Sequence, residues 1–98
     1  MALRFTWDPA KSAANRRRHG IDFTEAATAF ADPLSLTIPD PDHSESEDRF
    51  LLMGLSERSR LLVVVHVERA TDEIRIISAR PATRSERHDY EEDSEIGQ

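Results

Sequence analysis

Arginine and histidine side chains in the second half of the chain have the types and positions best suited to chemistry. Arg49 precedes one apolar stretch, Arg80 ends another, and His66 interrupts the apolar run of residues 61–67. Histidine exchanges a proton near neutral pH, and the planar guanidinium of arginine binds phosphate or carboxylate through two hydrogen bonds. Arg80 also precedes a predicted helix start, a place that favours an anion. His66 has a second interpretation, as a core histidine bonded to the backbone.

The last predicted strand carries two more polar candidates beside Arg80. Ser78 lies two positions before Arg80, so both side chains share one face of the sheet and can contact one phosphate. Arg75 lies five positions before Arg80, so a regular strand directs the two arginines to opposite faces unless a bulge or the strand end intervenes. We therefore expect Arg75 to be a solvated surface residue, with a phosphate contact as the alternative.

Three residues at helical spacing follow this strand. Arg84, Arg87 and Tyr90 are each three positions apart and therefore lie on one side of a helix. Such a stripe can follow a phosphate backbone, and a tyrosine can stack on a base. The alternative is an ordinary surface helix in which Glu86 and Asp89 pair with the arginines.

The acidic segment of residues 39–48 contains His43 among five carboxylates. A cluster of carboxylates and an imidazole can hold a divalent metal. The spacing matches no ordered set of ligands, so we expect no metal and no other cofactor. We predict instead that His43 is a loop histidine of the site, near Arg49.

A polar stripe also follows the first predicted helix. Lys11, Asn15 and His19 are four positions apart and share a helix face. The stripe can contact a nucleic acid or a protein partner, but a structural role, with Asn15 or His19 fixing the next turn, is favoured.

The predicted elements form an α+β domain. Asp8-Pro9 begins one helix that Gly20 ends, and Asp22 begins a second that stops before Pro33. We expect these two N-terminal helices, a mainly antiparallel sheet of three to four strands with a short N-terminal strand, and a C-terminal helix. The predicted strands are residues 34–38, 49–55, 61–68 and 74–80, with an extended segment at residues 5–7 and a last helix from Thr83 through Tyr90. Residues 1–90 form one domain, and residues 91–98 are expected to be an acidic, flexible tail.

Composition limits the class of protein. The 98 residues are 38% hydrophobic and 33% charged, and they include no cysteine, which excludes disulfides and thiolate catalysis. The longest apolar run is far shorter than the roughly 20 residues that span a bilayer, and no secretory signal is visible, so we expect a cytoplasmic protein. The net charge of −6 argues against undirected binding to nucleic acid, yet residues 49–90 carry eight basic and six acidic side chains.

Four sequence blocks resemble a known family. WDPAKSAANRRRHGIDFTEAATAF, DPDHSESEDRF, LLVVVHVER and RIISARPATRSERHDY, at residues 7–30, 40–50, 61–69 and 75–90, are similar to the blocks of BrnT-type toxins from bacterial type II toxin–antitoxin pairs, in the same order. The resemblance implies a RelE-like fold and a ribonuclease that arrests translation and growth. It also implies a BrnA-like antitoxin that carries the DNA-binding function, in a complex with two copies of each chain.

The resemblance and the residue types together give a predicted site. Metal-independent RNA cleavage needs a base, an acid and cations that stabilise charge on the phosphorus. The predicted catalytic residues are Arg49, His66, Arg80, Arg84 and Tyr90, and the predicted RNA-binding residues are Lys11, His43, Arg75, Ser78 and Arg87. The expected partners are RNA, free or on the ribosome, and the antitoxin, with no membrane and with DNA reached only through the antitoxin. The alternative is a non-catalytic antitoxin-binding module that acts in autoregulation.

Overall fold

The chain builds one mixed sheet with helices on both faces. A computed structural model describes residues 3–42 and 48–96. The elements in chain order are β1 (Arg4–Thr6), α1 (Pro9–His19), α2 (Phe23–Thr28), a 3-10 turn (Ala29–Ala31), β2 (Leu36–Pro39), β3 (Arg49–Leu55), β4 (Leu61–Ala70), β5 (Glu73–Pro81) and α3 (Arg84–Ile96). None of these described helices is long and apolar enough to cross a membrane.

Local sequence signals set both ends of α1. The Asp8 side chain accepts a hydrogen bond from the Ala10 N–H at 2.9 Å, and Pro9 occupies the first helical turn. Gly20 ends the helix with φ 76° and donates its N–H to the Arg16 carbonyl at 2.8 Å. A side chain with a Cβ is strained at that φ, which is why glycine suits this position. Both predicted ends of α1 are confirmed.

The start of α2 is joined to the β3–β4 hairpin. Asp22 accepts the Glu25 N–H at 2.8 Å and caps the helix as predicted. Glu25 does not complete a capping box, because its buried carboxylate forms an ion pair with Arg60 and accepts the Ser56 hydroxyl at 2.7 Å. The Arg60 guanidinium holds the pKa of the Glu25 carboxyl below its usual value. The ion pair therefore connects the helical layer to the sheet.

Within the described residues, the sheet has five strands in the order β1-β5-β4-β3-β2. Strands β2 to β5 pair antiparallel, in agreement with the sequence, whereas β1 pairs parallel with β5 at the edge. The expectation of three to four strands is therefore corrected to five. Strand β1 ends at Thr6 and so excludes Trp7, and its Arg4 pairs with Glu73 of β5 at 3.0 Å.

The core lies between the α1–α2 layer and one face of the sheet. Its buried side chains are Ile21, Phe23, Ala26 and Ala29 from the helical side and Leu52, Leu62, Val64, Ile74, Ile76 and Ala79 from the strands. Phe23 is 0% exposed, and complete burial of such a side chain contributes about 1.5–3 kcal/mol. Even residues of β4 face this core, so odd residues of β4 face the opposite side.

Helix α3 begins at the predicted capping box. The Thr83 N–H donates to Glu86 Oε1 at 2.9 Å, and the Glu86 N–H donates to Thr83 Oγ1 at 3.1 Å. The helix continues to Ile96, so residues 91–96 of the segment expected to be a flexible tail are helical. Glu86 and Asp89 line a cavity with residues from β2, β3 and β4, which shows that α3 covers the face opposite the core.

Candidate functional site

A bulge in β5 determines which side chains share a face. Val65 of β4 pairs with Ser78, but the next residue, His66, pairs with Ile76. Two adjacent residues of β4 therefore pair with Ser78 and Ile76, and Ile77 between these two is an extra residue in β5. An extra residue in one strand moves every side chain beyond it to the opposite face of the sheet.

The bulge brings Arg75 and Arg80 to one face of the sheet. Arg75 pairs with Val67 and Arg80 pairs with Val63, and both valines are odd residues of β4 that face away from the core. The expectation of opposite faces applied to a regular strand, and β5 contains the bulge that was its stated exception. Ser78 pairs with Val65 and joins the same face, as predicted.

Arg49 lies on this face as well. It pairs with Val67, which pairs on its other side with Arg75, so the three residues form one row across β3, β4 and β5. Neighbouring strands lie about 4.8 Å apart, which puts the two arginine backbones about 10 Å apart. We call the surface of Arg49, Arg75, Ser78 and Arg80 the arginine face. Its partly buried guanidinium groups can stabilise more than one anionic oxygen of a substrate.

Arg80 already holds a carboxylate. Its Nη1 and Nη2 donate to the two carboxylate oxygens of Glu86 at 2.8 and 2.9 Å. This fork geometry is the one that binds a phosphate. The Arg80 guanidinium lowers the pKa of Glu86 to about 2. Because the Arg80 side chain is 41% exposed, an external anion can reach it.

Ser78 and Arg80 also line a cavity of about 500 Å³ between β5 and α1. The α1 side chains that line it are Lys11, Arg18 and His19, with Ala14 and Asn15 between them. We call this cavity the basic cleft. The structure therefore brings together three residues predicted to bind or act on RNA, Lys11, Ser78 and Arg80. It adds His19, which the sequence placed on the stripe of Lys11 but not among the site residues. It also adds Arg18, whose spacing of seven from Lys11 is the signal that could have found it.

Asn15 fixes α1 against the edge of the sheet. Its amide Nδ2 donates to the carbonyls of Ala79 at 2.7 Å and Ile21 at 2.8 Å, and its Oδ1 accepts the Ala79 N–H at 3.2 Å. Strand β1 pairs with residues 73–75 of β5 and does not extend to Ala79. The Asn15 amide therefore makes the hydrogen bonds to Ala79 that a neighbouring strand would otherwise make. The predicted structural role of Asn15 is confirmed, and the contact positions Lys11 and Arg18 over β5.

Comparison with known proteins agrees with the sequence blocks. Residues 7–86 match the family model described as the ribonuclease toxin BrnT of type II toxin–antitoxin systems. The chain belongs to the BrnT family. The crystal structure of the Brucella abortus ribonuclease toxin BrnT matches 85% of this chain and 100% of its own chain, with a TM-score of 0.65 at 20% identity, a likeness that concerns the fold. No curated protein sequence matches significantly. A BrnT-family chain has a protein antitoxin as its partner.

His66 of this BrnT-family toxin is a core histidine. It is 1% exposed, and its ring packs against Phe30 and Phe50 at centroid distances of 4.8 and 5.9 Å. Nε2 lies 3.7 Å from the Glu68 carboxylate. Burial lowers the pKa of His66 below its usual value. Since His66 is an even residue of β4, the sheet separates it from the arginine face, and the alternative interpretation from the sequence fits its position.

Tyr90 is directed into the fold. It is 6% exposed, and its hydroxyl donates to Asp32 Oδ2 at 2.6 Å. Burial, and then the Asp32 carboxylate, raise the pKa of Tyr90 to about 12. The contact attaches α3 to the turn before β2, and it leaves little of the ring for stacking on a base. Tyr90 also lies beyond the residues that match the family model.

The remaining predicted residues are not brought into the basic cleft. Arg84 and Arg87 are exposed on α3, and neither lines the cleft. His43 lies outside the described residues. Over residues 3–42 and 48–96, no group of three metal-ligand side chains comes together.

Proposed function

We propose that this BrnT-family chain is an endoribonuclease that cleaves RNA without a metal and thereby arrests translation and growth. Membership of a ribonuclease toxin family supports the reaction class. The bulge at Ile77 is the main support for the location of the site, because it puts Arg75, Ser78 and Arg80 on the same face of the sheet as Arg49.

Arg80 is the proposed phosphate clamp. Its fork binds both carboxylate oxygens of Glu86 in the free chain, and a substrate phosphate would take the place of that carboxylate. Arg75 and Arg49 add positive charge on the same face, where they stabilise the extra negative charge of the phosphorus-centred transition state. Lys11 and Arg18 hold the adjoining phosphates from the other wall of the basic cleft.

Proton transfer is proposed to come from His19 rather than from His66 or Tyr90. His19 lines the basic cleft together with Arg80, and imidazole is the side chain best suited to proton transfer near neutral pH. His66 lies behind the sheet and Tyr90 is bonded to Asp32. His43 remains a second candidate from the sequence.

Induced expression of the chain and of an Arg80→Ala variant tests this proposal. The wild-type chain is expected to arrest growth and degrade RNA, and the variant to do neither. An Arg58→Ala variant is the matched control, because Arg58 is an exposed arginine on the β3–β4 turn, away from the cleft. Cleavage by the purified chain should persist with a chelator. Cleavage that survives Arg80→Ala, with the fold intact by circular dichroism, would contradict the site.

The antitoxin is proposed to be BrnA-like, to carry the DNA-binding function, and to form a complex with two copies of each chain in the cytoplasm. Co-expression with the adjacent reading frame should restore growth. The mass of the purified complex by light scattering measures the stoichiometry, and any composition other than two copies of each chain contradicts that part of the proposal.

A non-catalytic antitoxin-binding module is the second candidate, and one observation favours it. The fork of Arg80 is filled by Glu86, while both His66 and Tyr90 are buried. This candidate predicts normal growth and intact RNA on induction, with full binding of the antitoxin.

A further inference from the structure

Helix α1 is a basic ridge on an acidic protein. Its sequence PAKSAANRRRH contains four basic side chains and no acid, whereas the whole chain has a net charge of −6. Arg4, Arg60 and Arg80 each form an ion pair. None of the ion pairs in the described part of the chain involves the basic residues of α1, which are Lys11, Arg16, Arg17 and Arg18. This uncompensated charge attracts a polyanion to α1.

A second cavity lies on the other flank of α1 from the basic cleft. It has a volume of about 620 Å³, and its lining includes Trp7, Arg16 and Arg17. Trp7 meets Phe23 edge-on, with ring centroids 6.3 Å apart and planes at 87°, and its side chain is half-buried. We call this cavity the Trp7 cleft.

The lining of the Trp7 cleft combines an indole with two guanidinium groups. Both kinds of group stack on nucleobases, and the guanidinium groups also bind phosphate. The carboxylates of an acidic peptide would satisfy the arginines alone, whereas each nucleotide of a single strand offers a phosphate to the arginines and a base to the indole. Among the described residues that line the cleft, Asp22 is the one acid, and its carboxylate is held by the Glu25 N–H as the cap of α2.

The two clefts are separated by the body of α1. Lys11 and Arg18 line the basic cleft, while Arg16 and Arg17 line the Trp7 cleft. The helix with its side chains is about 10–12 Å across. A single nucleic-acid strand can therefore cross α1 and contact both clefts.

We propose that α1 and the Trp7 cleft bind single-stranded RNA outside the cleavage site, with a base stacked on Trp7 and phosphates on Arg16 and Arg17. The strand continues over α1 to Arg80. This inference rests on the proposed function, because it assigns the same RNA a second binding site. It adds an aromatic subsite and explains how a chain with a negative net charge retains its substrate.

The chain contains a single tryptophan, so its fluorescence reports the subsite directly. The probe is a single-stranded RNA oligonucleotide with 2′-O-methyl riboses, which cannot be cleaved by attack of the 2′-hydroxyl. Saturable quenching of Trp7 fluorescence is expected. Trp7→Ala should weaken binding, followed by fluorescence anisotropy of a labelled oligonucleotide, by about tenfold. Trp7→Phe should restore most of the affinity.

A double variant, Arg16→Gln with Arg17→Gln, tests the phosphate contacts. Loss of two contacts to single-stranded nucleic acid should reduce the slope of log K against log salt by about 1.4. The control is Arg58→Gln, an exposed arginine on the β3–β4 turn that lies outside both clefts and off the arginine face. The control should keep the wild-type slope. Circular dichroism confirms that each variant is folded.

The outcomes separate this inference from the proposed function. Quenching and an altered slope in a chain that cleaves no RNA would support the subsite and refute the nuclease. Cleavage that depends on Arg80, with wild-type binding by the α1 double variant, would refute the subsite alone. If the double variant weakens only the binding of the antitoxin, the ridge is a protein interface and the inference is wrong. If no oligonucleotide binds, the subsite is refuted, and the nuclease is judged separately by RNA cleavage and its dependence on Arg80.

Discussion

Replacing Tyr90 by phenylalanine should weaken the fold and leave the chemistry intact. The substitution removes the hydroxyl that donates to Asp32 Oδ2 at 2.6 Å and keeps the buried ring. Burial opposes ionisation of Asp32, but hydrogen bonds from Leu55, Tyr90 and Leu34 outweigh it and hold the pKa of that carboxyl below its usual value.

The expected loss of stability depends on the hydrogen bonds that Asp32 keeps after the substitution. A hydrogen bond to a charged group contributes about 1.5–3 kcal/mol. After Tyr90→Phe, Asp32 still accepts the Leu34 N–H at 2.9 Å and the Leu55 N–H at 2.8 Å. The loss should therefore lie in the lower part of that range, at about 2 kcal/mol. For a domain of this length such a loss lowers Tm by about 8–16 °C.

Thermal unfolding followed by circular dichroism measures the change in stability. RNA cleavage is compared at a temperature where both proteins are folded, and the rates should be equal. Asp32→Asn alone and with Tyr90→Phe completes a double-mutant cycle, which should give a coupling energy of about 1–2 kcal/mol. A variant with unchanged Tm and lost cleavage would refute the anchoring role and return Tyr90 to the catalytic set.

Three further predictions concern the elements that position the site. Asn15→Ala removes three hydrogen bonds to buried backbone and should cost about 3 kcal/mol, measured by urea unfolding; a loss below about 1 kcal/mol would mean that water replaces the amide. The pKa of Glu86 is depressed from 4.5 to about 2, so its contribution to stability is complete above pH 4.5 and falls as the pH drops towards 2. Unfolding measured across this range should show a shallower decline for Glu86→Gln, and an unchanged decline would contradict the assignment. A Cβ at Gly54 would lie 2.7 Å from the Ala29 carbonyl oxygen, so Gly54→Ala should destabilise the chain by about 1–3 kcal/mol. Equal unfolding midpoints for the variant and the wild type would show that the 3-10 turn moves to accommodate the methyl group.

Much of the fold could be predicted because its signals are local. Asp8, Gly20 and the Thr83–Glu86 capping box act on backbone groups within a few residues, so their effects are encoded in short stretches of sequence. The parallel pairing of β1 with β5 was not predicted, because Arg4 and Glu73 are 69 positions apart. No periodicity in either segment records such a contact.

The candidate site was predicted in residue type but not in arrangement. The sequence identified Lys11, Ser78 and Arg80, and the structure places them in one cleft. It also suggested a proton-transfer role for His66, whereas that side chain lies among aromatic rings on the core side of the sheet. A histidine inside an apolar strand has the same sequence pattern whether its side chain faces the core or the candidate site. Only the register of β4 decides between them.

The sequence by itself determined both ends of α1, the starts of α2 and α3, the apolar strands and the concentration of positive charge on α1, since each depends on neighbouring residues. The tertiary structure decided which arginines lie together on one face of the sheet. One extra residue at Ile77 turns Arg75 to the face of Arg80, because side chains alternate along a strand and a single insertion inverts their order. Burial of Tyr90 against Asp32 is likewise a contact between distant segments. Short-range chemistry thus supplied the parts of the site, and strand pairing with packing set their positions.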